Sequence, residues 1–171
     1  MPLEFITIGV YGWDAERFFA AIQAVGVDTF CDIRERRGVR GAEYAFANSV
    51  RLQDRLAEMG IRYIHRRDLA PSQEVRGQQY AADRAAHTAK RQRAALSPAF
   101  AEAYLRERLR DFDSTAFIAD LGEQARIVAL FCVEREPAAC HRSLLADRLA
   151  RDLDLSVRHL LPVPLSSSHF P

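Results

Sequence analysis

The run Ile127-Val128-Ala129-Leu130-Phe131-Cys132-Val133 is apolar at every position, and this one feature narrows the fold more than any other. A strand with one wet face alternates apolar and polar residues. A strand that is apolar throughout has both faces covered, as in the middle of a parallel sheet wrapped by helices. Four further short β-type runs agree with this: Phe5 to Val10, Thr29 to Ile33, Ile61 to Ile64 and Val157 to Leu161. Between them, apolar residues recur at helical spacing. Phe18, Phe19, Ile22 and Val25 follow an Asp14 cap and precede Gly26. Val50, Leu52, Leu56 and Met59 follow Asn48 or Ser49 and precede Gly60. Leu145, Leu149 and Leu153 lie on one stripe of a helix expected over Pro137 to Leu153.

Strands alternating with helices imply right-handed crossovers that cover a parallel sheet on both sides. The 171 residues suit one compact domain. The expectation is a single α/β domain over 1–171: a doubly wound, mostly parallel five-stranded sheet with helices on both faces. The stretch of about 71–124 has no strand pattern and reads as a helical insertion before the fourth strand, with Ser97-Pro98 as a helix start. Within it, Ala81 to Arg93 reads as an exposed helix or lid, and about 162–171 as a polar tail.

A formal net charge of +1 gives no global attraction to nucleic acid or anionic membrane. Three cysteines, an odd number, make no disulfide framework, and no apolar run reaches membrane-spanning length. With no basic-then-apolar leader visible, a cytoplasmic protein without membrane contact is expected. The oligomeric state is left open.

Ligands of parallel α/β sheets bind beyond the carboxyl ends of the strands, and polar residues gather there. Asp32 and Arg34 close the second strand, and Glu134 closes the fourth. A carboxylate ending an apolar strand needs a partner, so Asp32 is either ion-paired with Arg34 or a functional acid or base. If Asp32 and Glu134 share a pocket, their repulsion makes an acid/base pair. His141 and Arg142, in the first turn of the following helix, form an anion-binding element. Asp32, Glu134 and His141 are therefore the catalytic candidates; Tyr11, Arg34, Arg40, Tyr63 and Arg142 are the substrate-binding ones. Cys132 and Cys140 read first as small core thiols, with a nucleophile at Cys140 as the alternative. Only three soft donors lie close and no CxxC pair exists, so no cofactor is expected, with zinc the lesser alternative.

Arg34 to Arg93 holds fourteen basic and seven acidic side chains, with Tyr44, Phe46 and Tyr63 among them. Such a segment either clamps phosphate and stacks bases or forms a solvated face. Lys90 is the only lysine in the chain. Neither a dinucleotide fingerprint nor a Walker motif is present.

Thr7-Ile8-Gly9, Asp32-Ile33-Arg34, Gly60-Ile61-Arg62-Tyr63 and above all Cys132-Val133-Glu134 followed by Cys140-His141-Arg142-Ser143 resemble the domain-of-unknown-function 488 family. The resemblance implies one α/β domain in the bacterial or archaeal cytoplasm. It marks Asp32, Arg34, Cys132, Glu134, Cys140, His141 and Arg142 as motif positions. The chain departs from commoner members after Arg34, where they carry proline and serine. It also lacks their glycine-rich turn at Asp68-Leu69-Ala70-Pro71. Two functions follow as expectations. One is a small enzyme acting on an anionic, nucleotide- or nucleobase-like substrate by acid/base hydrolysis or group transfer. The other is a non-catalytic nucleic-acid or nucleotide-binding module using the arginine-rich loop.

Overall fold

Apolar strand runs and helical stripes assemble around one five-stranded, all-parallel sheet in a computed structural model of the chain, which describes residues 2–164. The strands are β1 (Glu4–Ile8), β2 (Thr29–Asp32), β3 (Arg62–His65), β4 (Ile127–Phe131) and β5 (Val157–Leu160), in the order β3-β2-β4-β1-β5. The wholly apolar run is the central strand β4, paired with β1 on one side and β2 on the other. The helices are α1 (Ala15–Ala24), α2 (Ser49–Glu58), α3 (Gln73–Ala85), α4 (Pro98–Tyr104), α5 (Ser114–Leu121) and α6 (His141–Leu153). Part of the expected polar tail, 165–171, lies outside the described residues. Among the described residues no helix is long and apolar enough to cross a membrane.

Local chemistry accounts for the helix boundaries. Asp14 caps α1 by accepting from Arg17 N at 2.9 Å, and Ser97 caps α4, with Pro98 in the first turn. Asn48 precedes α2 but caps nothing with its side chain; its Oδ1 accepts from Val39 N and ties down the preceding loop. The helix expected over Pro137 to Leu153 is broken. Pro137–Ala139 is a separate 3-10 turn, Cys140 is extended, and α6 starts at His141. The segment expected as an exposed helix or lid over Ala81 to Arg93 is not one helix. Helix α3 ends at Ala85, His87 turns with φ 51°, and a 3-10 turn spans Lys90–Gln92.

Strand alternation sorts the core into two faces. On one, Phe18 of α1 packs against Phe30, Phe131 and Phe46, with ring centroids 5.1–6.4 Å apart. On the other, Phe5 stacks on Phe117 of α5, and Thr7 lies 3.4 Å from Arg142 Nε of α6. The insertion, α3 to α5, is pinned to the loop after β3. Tyr104 donates its hydroxyl to Leu69 O at 2.7 Å and Arg108 Nε donates to Ala70 O at 2.8 Å.

The chains leaving β1 and β4 run to opposite edges of the sheet, so a crevice opens where they part. That crevice is tight at Gly9, where a Cβ would lie 1.9 Å from Glu134 O and 3.2 Å from Arg142 Nη1. Gly9→Ala is expected to cost about 3 kcal/mol, measured as a lower urea midpoint. An unchanged midpoint would mean that the two loops do not approach as described.

Candidate functional site

Register decides which polar side chains meet. Asp32 is aligned with Phe131, so the two side chains share a face. Cys132, one residue further along, belongs to the opposite face. Asp32 is accordingly sealed on the α1 side, fully buried, with both oxygens engaged. Arg34 donates Nε to Oδ1 at 2.9 Å and Nη2 to Oδ2 at 2.8 Å, and Tyr63 donates its hydroxyl to Oδ2 at 2.7 Å. The third guanidinium nitrogen of Arg34 donates to Ala47 O at 2.9 Å, and the group lies 4.5 Å from the Phe131 ring centroid. Burial, with the adjacent Asp32 charge, pushes the Tyr63 hydroxyl up to about 12. Asp32 and Glu134 therefore do not share a pocket.

Arg142 is likewise fully buried and engaged. It donates Nη1 to Glu134 O at 2.6 Å and Nη2 to Arg135 O at 3.0 Å. Rather than holding an external anion, it holds the loop between β4 and α6. This loop carries Glu134 and returns the chain to Cys140.

Across the crevice lies a cavity of about 790 Å³. Its walls come from the loop after β2 and from the insertion, and contribute Arg34, Arg36, Arg40, Arg76, Lys90, Arg91 and Arg93 with one acid, Glu35. Its floor is Cys132, Glu134, Cys140 and His141. Tyr11 lines the cavity and lies 5.3 Å from the Tyr44 ring, while the Arg91 guanidinium is 5.4 and 5.1 Å from the two ring centroids.

The floor is held from several sides. Glu134 Oε1 lies 3.4 Å from Arg93 Nη1 and 3.6 Å from Lys90 Nζ, and its Oε2 lies 3.6 Å from Cys132 Sγ. Arg93 is itself fixed by Asp83, with Nη2 2.5 Å from Oδ2. His141 Nδ1 is 3.8 Å from Cys132 Sγ and 3.9 Å from Cys140 Sγ. Its Nε2 is 3.2 Å from Ile33 O, an atom that only accepts, so Nε2 carries a hydrogen, and in the neutral ring Nδ1 presents its lone pair to the sulfurs. Donor atoms of Cys132, Cys140 and His141 all lie within 4.8 Å of one another, and the three residues could hold a metal ion.

Burial opposes ionisation of Cys140, but a hydrogen bond with Cys132 and the charges of Arg142 and His141 outweigh it and pull this thiol well below its ordinary range. That same hydrogen bond, with burial, pushes Cys132 well above its own. Burial, then Cys140, raises Glu134. For His141 burial acts downward, but Cys140 and Glu134 overcome it and raise the imidazole. Cys31 has no such company; burial pushes its thiol up to about 12.

Of the residues expected from sequence, the structure brings together Tyr11, Arg40, Cys132, Glu134, Cys140 and His141 around the cavity. Arg34 touches the wall with its guanidinium already committed, while Asp32, Tyr63 and Arg142 work inside the fold. Arg36 belongs to the arginine-rich loop marked in the sequence, whereas Arg76, Lys90, Arg91 and Arg93 were not singled out. The run Lys90-Arg91-Gln92-Arg93 was the available signal. Asp32→Asn removes one charge of a buried pair and is expected to cost about 3–5 kcal/mol, read from urea unfolding. A variant of unaltered stability would instead free Asp32 for a role in chemistry.

No curated protein and no solved structure matches the chain. One family model does, over residues 14–149, which takes in β2, β3, β4, most of α6 and every residue of the cavity floor. By that match the chain belongs to the family described as Domain of unknown function DUF488.

Proposed function

We propose that the protein is an enzyme that binds an anionic substrate in the cavity and hydrolyses it at the floor. One observation carries this reading: Arg36, Arg40, Arg76, Lys90 and Arg91 line a cavity over a floor that joins a carboxylate, two thiols and an imidazole. Cations lining a low-dielectric cleft attract an anion and fix its orientation. A volume of about 790 Å³ fits a metabolite-sized ligand. A planar ring carrying a phosphate, as in a nucleotide, suits the edge where Tyr11 lies beside Arg91.

In this reading Glu134 accepts the proton that water loses as its oxygen bonds to the electrophilic atom of the substrate. Glu134 returns the proton to the leaving group as that bond breaks. Transfer to an acceptor other than water uses the same proton handling. His141, whose Nε2 is engaged by Ile33 O, orders the floor rather than moving a proton to solvent. Three buried free thiols suit a reducing compartment such as the cytoplasm.

Screening nucleotides and other organic phosphates by thermal shift checks the binding half. A ligand at a hundred times its Kd is expected to raise Tm by about 5 °C or more, and Arg40→Ser with Arg91→Ser should abolish most of that shift. Glu134→Gln should keep the shift and lose at least about 100-fold in turnover of the ligand found. If no phosphate ligand shifts Tm, the reading falls. Salt-sensitive binding of single-stranded nucleic acid, unaffected by Glu134→Gln and without turnover, would instead make the protein a binding module.

A further inference from the structure

We infer that Cys132, Cys140 and His141 form a three-ligand zinc site whose fourth position opens into the cavity. Zinc held tetrahedrally by thiolates at ~2.3 Å and imidazole nitrogen at ~2.0 Å places a sulfur and a nitrogen ~3.6 Å apart. In this structure His141 Nδ1 is 3.8 and 3.9 Å from the two sulfurs. Both nitrogen–sulfur edges are thus within a few tenths of an ångström of a ligating arrangement, and all three donor atoms lie within 4.8 Å of one another.

Three further features fit a metal and would be coincidences in a cluster of core thiols. In the neutral ring the nitrogen that faces the sulfurs bears the lone pair, because the other donates to Ile33 O at 3.2 Å. A backbone carbonyl fixing the tautomer in this way is the usual support of a metal-bound histidine. The ligands also come from rigid places: Cys132 follows β4, while Cys140 and His141 open α6. The loop between Cys132 and Cys140 is clamped by the buried Arg142 through Glu134 O and Arg135 O. Finally, all three ligand residues line the cavity, and three protein ligands with one open position mark catalytic rather than structural zinc. Two thiolates and an imidazole suit zinc over magnesium or calcium, which take oxygen ligands.

The metal site stands on its own geometry, while its catalytic use rests on the hydrolytic reading of the cavity. Zinc would polarise a water in the open position. Glu134, with Oε2 3.6 Å from Cys132 Sγ and Oε1 beside Arg93 and Lys90, takes the proton. The water oxygen bonds to the substrate, the leaving-group bond breaks, and the proton passes from Glu134 to the departing atom.

The test is elemental analysis of the full chain purified under reducing conditions without chelator, followed by removal of metal and titration with Co2+. The expected result is about one zinc per chain and a thiolate-to-cobalt charge-transfer band that saturates at one equivalent. Cys140→Ser and His141→Ala should lower metal affinity at least tenfold where they fold. Glu134→Gln, which is not a ligand, should keep the zinc and the band. Wild-type protein with three titratable thiols that carries no zinc and gives no cobalt band would overturn the site, whatever the anion-binding assay shows. Stoichiometric zinc in a protein that binds no anion would uphold the site and remove the hydrolytic reading.

Discussion

A buried guanidinium, that of Arg142, holds the two halves of the candidate site in one geometry. It sits under the point where the chains leaving β1 and β4 diverge, and it faces two backbone carbonyls rather than a carboxylate. A charge taken out of water must be met by fixed dipoles or by a counter-ion. Here the dipoles belong to the loop that carries Glu134, so satisfying the charge and shaping the loop are the same event. Gly9 completes the arrangement, because any side chain there would collide with Glu134 O. The floor residues inherit their positions from this contact.

The Asp32–Arg34 pair does comparable work on the opposite face of the sheet. Its bidentate geometry, the Tyr63 hydroxyl and the Phe131 ring satisfy a charge pair that would otherwise be costly to bury. Beyond Arg34, Arg36 and Arg40 reach the cavity wall. Motif residues on the two faces thus divide into groups that build the cavity and groups that line it.

Much of this was legible in the sequence, and the parts that were not have physical causes. The central strand declared itself because a short run apolar at every position suits a strand covered on both faces. Caps such as Asp14 and Ser97 declared helix starts because their side chains satisfy free backbone amides. Strand order and register, however, depend on contacts far apart in sequence, so nothing local could say that Asp32 and Cys132 face opposite ways. Pro137 looked like the first residue of a helix, yet the helix begins four residues later, which leaves Cys140 at its mouth instead of inside it. The alanine- and charge-rich segment before Arg93 resembles an exposed helix by composition. A left-handed turn at His87, a conformation unusual for a residue with a side chain, folds Lys90, Arg91 and Arg93 over the cavity.

Together these features describe a cationic cleft over a soft-ligand floor, and the proposed enzyme requires an anion seated in that cleft. Crystals of the full chain soaked in tungstate, a heavy tetrahedral oxyanion, and measured at the tungsten absorption edge test it most directly. An anomalous peak is expected inside the cavity, among Arg36, Arg40, Lys90 and Arg91. Tungstate bound only on the outer surface, with the cavity empty of it, would mean that the cavity is not an anion site.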